Sequence, residues 1–75
     1  MSPPRKRSVT IRGHRTSFSV EDAFHVEIER IAKSRKLPLA ALIAEIDAAK
    51  PHDTNLSSAL RLFVLQTVKE ECQGS

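Results

Sequence analysis

The sequence predicts a mainly α-helical fold that begins with a short β-hairpin, in a chain of 75 residues. Two β-rich runs flank a glycine near the N-terminus, and three helical patterns with proline or asparagine at their borders follow. A chain of this size buries only roughly 60% of the surface that its unfolded form exposes. Because a lone Cys72 excludes an intrachain disulfide, we expect self-association to enlarge the core, and therefore a homodimer.

Positive charge is concentrated at the start of the chain. Residues 1–20 contain five basic side chains and no acid, whereas residues 21–75 contain seven bases and nine acids, which together give the net charge of +3. A basic segment on a nearly neutral body indicates a polyanionic partner, and the alternative is a solubilising tail. Residues 1–6, which include Pro3 and Pro4, are predicted to form a disordered basic arm.

Residues 7–19 are predicted to form the hairpin. A two-residue type II′ turn at Gly13 and His14 would pair Arg12 with Arg15. This register separates an apolar face from a face of hydroxyl and guanidinium groups, because alternate residues of a strand lie on opposite faces. The apolar face comprises Val9, Ile11, Thr16, Phe18 and Val20, and the polar face comprises Ser8, Thr10, Arg12, Arg15, Ser17 and Ser19.

A first helix is predicted from about residue 20 to about residue 36. Ser19 opens a Ser-Val-Glu-Asp run that fits a capping motif, and Asp22 in the first turn would complement the helix dipole. Phe24, Ile28 and Ile31 recur at helical spacing and form a core stripe.

A second helix is predicted over about residues 38–50. Pro38 suits the first position of a helix, and Pro51 ends the pattern. Apolar residues follow the i, i+3, i+4, i+7 spacing without interruption at Leu39, Leu42, Ile43 and Ile46.

A third helix is predicted over about residues 55–70, with Asn55 as its cap and residues 71–75 as a frayed tail. One apolar face of this helix suits the core. A second stripe consists of Leu62, Leu65 and Val68. A helix that packs on one side only does not need a second stripe, so we expect it to be buried against a partner subunit or another protein.

The sequence contains no arrangement typical of catalysis or metal binding. The three histidines lack metal-ligand spacing, and neither a nucleophile–base pair nor a phosphate-binding glycine loop is present. No apolar run approaches the roughly 20 residues of a membrane span, and no signal-peptide core follows the basic start. We therefore expect a cytoplasmic protein without enzymatic activity, cofactor, metal or membrane partner.

Three motifs resemble a known family. Arg-Ser-Val-Thr-Ile-Arg-Gly-His-Arg-Thr-Ser at residues 7–17, Leu-Ile-Ala-Glu-Ile-Asp at 42–47 and Asn-Leu-Ser-Ser-Ala-Leu-Arg at 55–61 resemble a subgroup of small bacterial ribbon-helix-helix proteins. The resemblance covers about residues 7–70. It implies a β-α-α fold, here with a third C-terminal helix, in an intertwined homodimer. The paired strands of such a dimer form a ribbon that enters the major groove of DNA.

The resemblance also implies particular contacts. The base-reading positions of the family fall on Arg15, Ser17 and Ser19, and its main-chain phosphate contact falls on Leu39 and Ala40, since Pro38 has no N–H. The polar face adds Arg12 and Thr10 as DNA contacts, and the arm adds phosphate attraction. The arm residues concerned are Arg5, Lys6 and Arg7. The residues assigned to a dimer core are Phe18, Val20, Phe24, Leu42, Ile43, Ile46 and Phe63.

We therefore expect a dimeric, nucleoid-associated transcriptional regulator that binds double-stranded DNA. If residues 7–12 add a strand on each side, the sheet of the dimer spans about 14 Å, against a groove about 12 Å wide. Either the outer strands then twist away and touch phosphates, or they become ordered only on DNA, or the protein has another role. The alternative function is a protein-interaction module, antitoxin-like or an adaptor, that uses the apolar third helix.

Overall fold

The chain folds as a β-hairpin followed by three helices. This architecture is that of a computed structural model, which describes residues 3–73. The elements are β1 Arg5–Ile11, β2 His14–Val20, α1 Asp22–Ser34, α2 Leu39–Ala49 and α3 Leu56–Gln73. The predicted element order is confirmed, and residues 7–12, whose strand was left open, lie mostly in β1.

The two predicted ends of the domain are wrong by a few residues. Arg5 and Lys6 were expected in a disordered arm, but they form the start of β1 and pair with Val20 and Ser19. At the other end, α3 continues to Gln73 into the predicted frayed tail. Residues 1–2 of the arm and 74–75 of the tail lie outside the described residues.

The hairpin turn lies one residue earlier than predicted. Arg12 and Gly13 are its central residues, with φ angles of 51° and 80°, and Ile11 pairs with His14. Two positive φ angles identify a type I′ turn, whose twist matches that of the flanking strands. The predicted pairing of Arg12 with Arg15 is therefore wrong. In the observed register Arg5 and Lys6 pair with Val20 and Ser19. With the predicted turn, these two residues would have extended beyond the end of β2 and remained unpaired.

The separation of the two faces is nevertheless as predicted for the strand residues. Each residue of β1 is paired two positions away from the predicted partner, and a shift of two keeps every side chain on its face. Val9, Ile11, Thr16, Phe18 and Val20 therefore face the helices, and Ile11, Phe18 and Val20 are buried. The sheet packs against two helices, with β1 in contact with α2 and β2 in contact with α3.

Helix α1 is shorter than predicted. Val20 still belongs to β2, and the N-cap residue is Glu21, whose side chain makes no capping hydrogen bond. The predicted capping role of Ser19 is thus wrong. At the other end Lys36 adopts a φ of 58°, and the N–H of Leu37 donates to the carbonyl oxygen of Ala32 at 2.9 Å. This left-handed residue ends the helix.

Helices α2 and α3 begin close to the predicted positions. Pro38 is the N-cap of α2 rather than its first helical residue, and its carbonyl oxygen accepts from Ala41 at 3.0 Å and Leu42 at 3.1 Å. The predicted cap of α3 is confirmed, since Asn55 Oδ1 accepts the N–H of Ser58 at 2.8 Å.

A single core lies between the inner face of the hairpin and the three helices. The fully buried side chains include Val20, Ile28, Leu42, Ile43 and Leu60. Five residues assigned to a dimer core are already buried within one chain, and their place in a dimer interface stays a prediction. These five are Phe18, Val20, Leu42, Ile43 and Ile46. Phe24 and Phe63 are partly buried and pack against the same core.

The outer side of α3 is apolar in part. Leu62 is 61% exposed and Leu65 is 54% exposed, whereas Val68 packs against the core. The predicted second stripe therefore contains two exposed residues rather than three. None of the helices within residues 3–73 has both the length and the apolar character needed to cross a membrane.

Replacing Gly13 with alanine should destabilise the hairpin by about 1 kcal/mol, because a Cβ disfavours the left-handed region. A Cβ at Gly13 would meet no atom within 4 Å, so the cost is one of backbone conformation alone. Gly13→Asn is the matched control, since asparagine tolerates this region. Urea unfolding followed by circular dichroism measures both. Equal stability of the alanine variant and the parent would contradict the turn assignment.

Candidate nucleic-acid interface

The outward face of the hairpin is a continuous polar surface. We define the outward face as Lys6, Ser8, Thr10, Arg15 and Ser17, all of which are exposed. The register places Ser8 beside Ser17 and Thr10 beside Arg15. The alternation of the strands turns these side chains away from the core, so each is available to a ligand that lies across the sheet.

Of the predicted base contacts, Arg15, Ser17 and Thr10 share this face. Arg12 is exposed, but it lies in the turn at the tip of the hairpin and not on a strand. Ser8 was not among the predicted contacts, although the same alternation that selected Thr10 places it in the middle of the face.

Ser19 differs from the other predicted contacts because α3 engages its main chain. The N–H of Ser19 donates to Ser57 Oγ at 2.8 Å, and a terminal nitrogen of Arg61 donates to the Ser19 carbonyl oxygen at 3.3 Å. Ser19 is half-buried. A base contact would use the side-chain hydroxyl of Ser19 rather than its main chain, so that role stays a prediction. The position of Ser19 marks the end of the exposed part of β2.

The three consecutive bases of β1 do not act together as an arm. Arg5 Nε and a terminal nitrogen of Arg7 lie 3.5 Å and 3.2 Å from Asp22 Oδ1. Arg7 is half-buried on the inner face, and its Nε has no hydrogen-bond partner among the described residues. Strand alternation turns Arg7 inward to Asp22, and its predicted phosphate contact stays a prediction. Lys6, between them, faces outward.

The remaining bases of the hairpin carry no counter-ion. Within residues 3–73, Lys6, Arg12 and Arg15 take part in no ion pair, whereas Asp22 is shared by Arg5 and Arg7. Residues 3–20 contain no acidic side chain. The free positive charge of the hairpin thus lies at its outward face and its tip.

A second ion pair joins the end of the hairpin to α3. Glu21 Oε1 accepts from Arg61 Nε at 3.1 Å. A hydrogen bond from its own main-chain N–H, followed by the one from Arg61, lowers the pKa of Glu21 below the ordinary value of 4.5. The carboxylate is therefore ionised at neutral pH, and it positions the guanidinium group of Arg61 that donates to the Ser19 carbonyl oxygen.

Leu39 and Ala40, the predicted phosphate contacts, are half-buried in the first turn of α2. The N–H groups of a first helical turn have no partner within the helix. These N–H groups can therefore donate to an anion, and the phosphate contact at Leu39 and Ala40 stays a prediction. Among the described residues, no three histidine, cysteine or acidic side chains come together in a way that suits a metal ion.

Comparison with known families gives a match over residues 4–68 to the model described as the ribbon-helix-helix domain. The chain belongs to the ribbon-helix-helix family. The match covers both strands, α1, α2 and most of α3, so the third helix and the additional strand are within the domain. The searches of curated proteins and of solved structures found no match.

Ribbon-helix-helix domains commonly bind DNA as regulators of transcription, typically form dimers and are typically not enzymes. The outward face of the hairpin has the residue types that this use requires. Hydroxyl and guanidinium groups can donate to base edges and to phosphates.

The pairing of Glu21 with Arg61 should make stability depend on pH. A carboxylate with a lowered pKa in the folded state contributes stability above its unfolded pKa, and this contribution is lost as the pH falls through the folded value. Glu21→Gln should therefore be less stable than the parent at pH 7, and the difference should shrink below about pH 4.5. Glu45→Gln, at an exposed ion pair of 3.8 Å, is the control. A constant difference between pH 7 and pH 3 would contradict the assignment.

Proposed function

We propose that the chain is a dimeric regulator of transcription that binds double-stranded DNA through the outward face of its hairpin. The observation that carries this proposal is the outward face itself. It presents Lys6, Arg15 and three hydroxyl groups on an exposed sheet with no acid among them. Membership of a family that commonly binds DNA supports double-stranded DNA as the ligand, and the exposed residues of the outward face are the groups that could contact it.

General attraction to DNA comes from the unpaired bases. Lys6, Arg12 and Arg15 lack intramolecular counter-ions among the described residues, so a dimer would present six such charges. Basic side chains that neutralise phosphates release condensed counterions, and the affinity therefore falls as salt rises. This contribution does not depend on DNA sequence.

Sequence preference comes from the middle of the face. Arg15 can donate to both acceptors of a guanine edge in the major groove, and a good bidentate pair is worth about 1–3 kcal/mol of discrimination. The hydroxyl groups of Ser17 and Thr10 can donate or accept at neighbouring base edges. Arg15 and Ser17 both belong to β2, so β2 is the strand that we assign to base reading.

Because a four-stranded sheet is wider than the major groove, we expect β1 to contact phosphates rather than bases. Four strands span about 14 Å, more than the roughly 12 Å of the major groove. If two copies join through β2, then β1 lies on the outside of the sheet, beside the phosphates that line the groove. Lys6 on β1 then contacts phosphate, and Leu39 and Ala40 at the start of α2 add main-chain contacts.

A second candidate function is binding of another protein through the outer side of α3. Leu62 and Leu65 are more than half exposed on that side. The double variant Leu62→Ser with Leu65→Ser should leave DNA affinity unchanged and should lose any stoichiometric protein that co-purifies with the parent. A parent that purifies with DNA-binding activity and without a protein partner would count against this candidate.

For the proposed function, Arg15→Ala should lower affinity for duplexes that the parent selects from a random pool by roughly 5- to 150-fold for each half-site, the equivalent of about 1–3 kcal/mol for each lost guanine contact. Its affinity for unselected duplexes should fall much less. Lys6→Ala should weaken binding to both kinds of duplex. Because the dimer loses one phosphate contact in each protomer, the slope of log affinity against log salt should fall by about 2. Titration of labelled duplexes at two salt concentrations measures these effects.

Lys33→Ala is the matched control, because Lys33 is an exposed base in the last turn of α1, at the opposite end of that helix from the hairpin. It should behave as the parent does. If all three variants bind selected duplexes with the parental affinity, the outward face is not the DNA-binding surface.

A further inference from the structure

We propose that α3 fixes the register in which a second copy of the chain pairs with β2. In this register the two β2 strands are antiparallel, the two-fold axis passes at Thr16, and Arg15 lies opposite the partner's Ser17. The inference rests on the proposed function in one respect, since it presumes a dimer joined through its strands. Beyond that function, the inference specifies which residues of the two β2 strands lie opposite each other and which residues of α3 determine this register.

The hairpin register determines which main-chain groups of β2 face the open edge. In an antiparallel ladder, residue pairs alternate between those that exchange two hydrogen bonds and those that exchange none. The pair Ile11 and His14 closes a two-residue turn and is therefore hydrogen-bonded. The pairs of Arg15, Ser17 and Ser19 with β1 are consequently the non-bonded ones, so their N–H and C=O groups point to the outer edge.

Helix α3 already occupies one of these three positions. Ser57 Oγ accepts the Ser19 N–H, Arg61 donates to the Ser19 carbonyl oxygen, and Glu21 holds Arg61 in place. These contacts also show independently that the main chain of Ser19 faces outward from the hairpin. The outward N–H and C=O groups of Arg15 and Ser17 have no partner among residues 3–73. The open edge of β2 is thus two hydrogen-bonding residues long.

Three symmetric registers can be compared on this edge. A two-fold axis at Thr16 pairs Arg15 with the partner's Ser17 twice, and each such pair exchanges two hydrogen bonds, so four form in all. An axis at Ser17 places Ser19 opposite the partner's Arg15. Because the N–H and C=O groups of Ser19 are already bonded to α3, only the two hydrogen bonds between the Ser17 residues form. An axis at Arg15 sets two guanidinium groups opposite each other, which is destabilising, and needs Gly13 of the turn as the second pair. The register centred at Thr16 is the one that satisfies every open group.

The outer edge of β1 is less suited to self-pairing. Two copies of β1 would place the Arg5-Lys6-Arg7 runs of both chains in one ribbon, with one Asp22 from each chain to offset three bases. Lysine on an edge strand also commonly opposes strand pairing. β2 carries Arg15 as its one permanently charged residue.

The register has a consequence for DNA reading. Residues that lie diagonally across an antiparallel pair are about 7–8 Å apart. Arg15 and the partner's Arg15 become such neighbours on the outward face, flanked by both Ser17 side chains. The surface that would read the bases is therefore centred on two arginines, and Ser19 stands outside it.

Single-cysteine crosslinking tests the register in the full chain. Cys72→Ala removes the native thiol, and Arg15→Cys, Thr16→Cys and Ser17→Cys are then introduced one at a time. A residue on the two-fold axis lies about 4.5–5.5 Å from its copy, within the range that a disulfide bridges. Thr16→Cys should yield several-fold more disulfide-linked dimer on mild oxidation than either neighbour, as measured on non-reducing gels.

Removing the hydrogen bonds from α3 to the main chain of Ser19 tests the role of α3. Ser57→Ala combined with Arg61→Met, in the Ser17→Cys background, should raise crosslinking at residue 17 several-fold, because the register centred there regains its second pair. Circular dichroism checks that the variant remains folded. Dominant crosslinking of the intact chain at residue 17, or at Ser8→Cys in β1, would overturn the proposal, as would no change at residue 17 in a folded variant.

These results can be separated from a failure of the proposed function. A chain that sediments as a dimer on duplex DNA without a disulfide at residue 16 refutes the register and leaves DNA binding standing. A chain that binds no duplex and sediments as a monomer refutes the proposed function itself.

Discussion

The two-residue turn at Arg12 and Gly13 determines how the hairpin pairs and which of its faces packs against the helices. With positive φ at both central residues, the turn sets which residues of β1 and β2 are paired. The pairing sends one set of side chains into the core and the other set to the surface. A shift by one residue would have buried Arg15 and exposed Phe18, so the hairpin could neither pack against the helices nor present a polar face.

Helix α3 has two roles that follow from its position beside β2. Its buried side covers the core through Leu56, Leu60 and Val64. At its edge, Ser57 and Arg61 satisfy the main chain of Ser19 where the hairpin leads into α1. With β1 it closes a core in which Phe18, Val20 and Leu42 are buried within one chain. In the proposed dimer, two such folded protomers meet along a strand.

Much of the fold could be predicted from sequence because its signals are local. Hydrophobic spacing located all three helices, Asn55 marked the start of α3, and strand alternation assigned the faces correctly even though the turn was misplaced. The turn itself was missed because arginine is a rare choice for a left-handed residue, and a glycine at the first central position appeared to explain the hairpin.

The candidate site was less predictable because its decisive contacts are distant in sequence. Ser19 appeared to be a helix cap and a base contact, but its main chain is taken by Ser57 and Arg61, about forty residues away. Arg7 appeared to belong to a basic arm, although alternation turns it inward to Asp22. The contacts of Ser19 are tertiary, and residue type alone carries no signal for them. The inward position of Arg7 follows from strand alternation once the strand is known to begin at Arg5.

The most direct test of the central claim, that DNA lies across the outward face of the hairpin, is a titration of the isotopically labelled chain with duplex DNA followed by amide chemical shifts. We expect large shifts at Lys6, Ser8, Thr10, Arg15 and Ser17, with little change at Leu62 and Leu65. Shifts confined to the outer side of α3, with the hairpin amides unmoved, would contradict it.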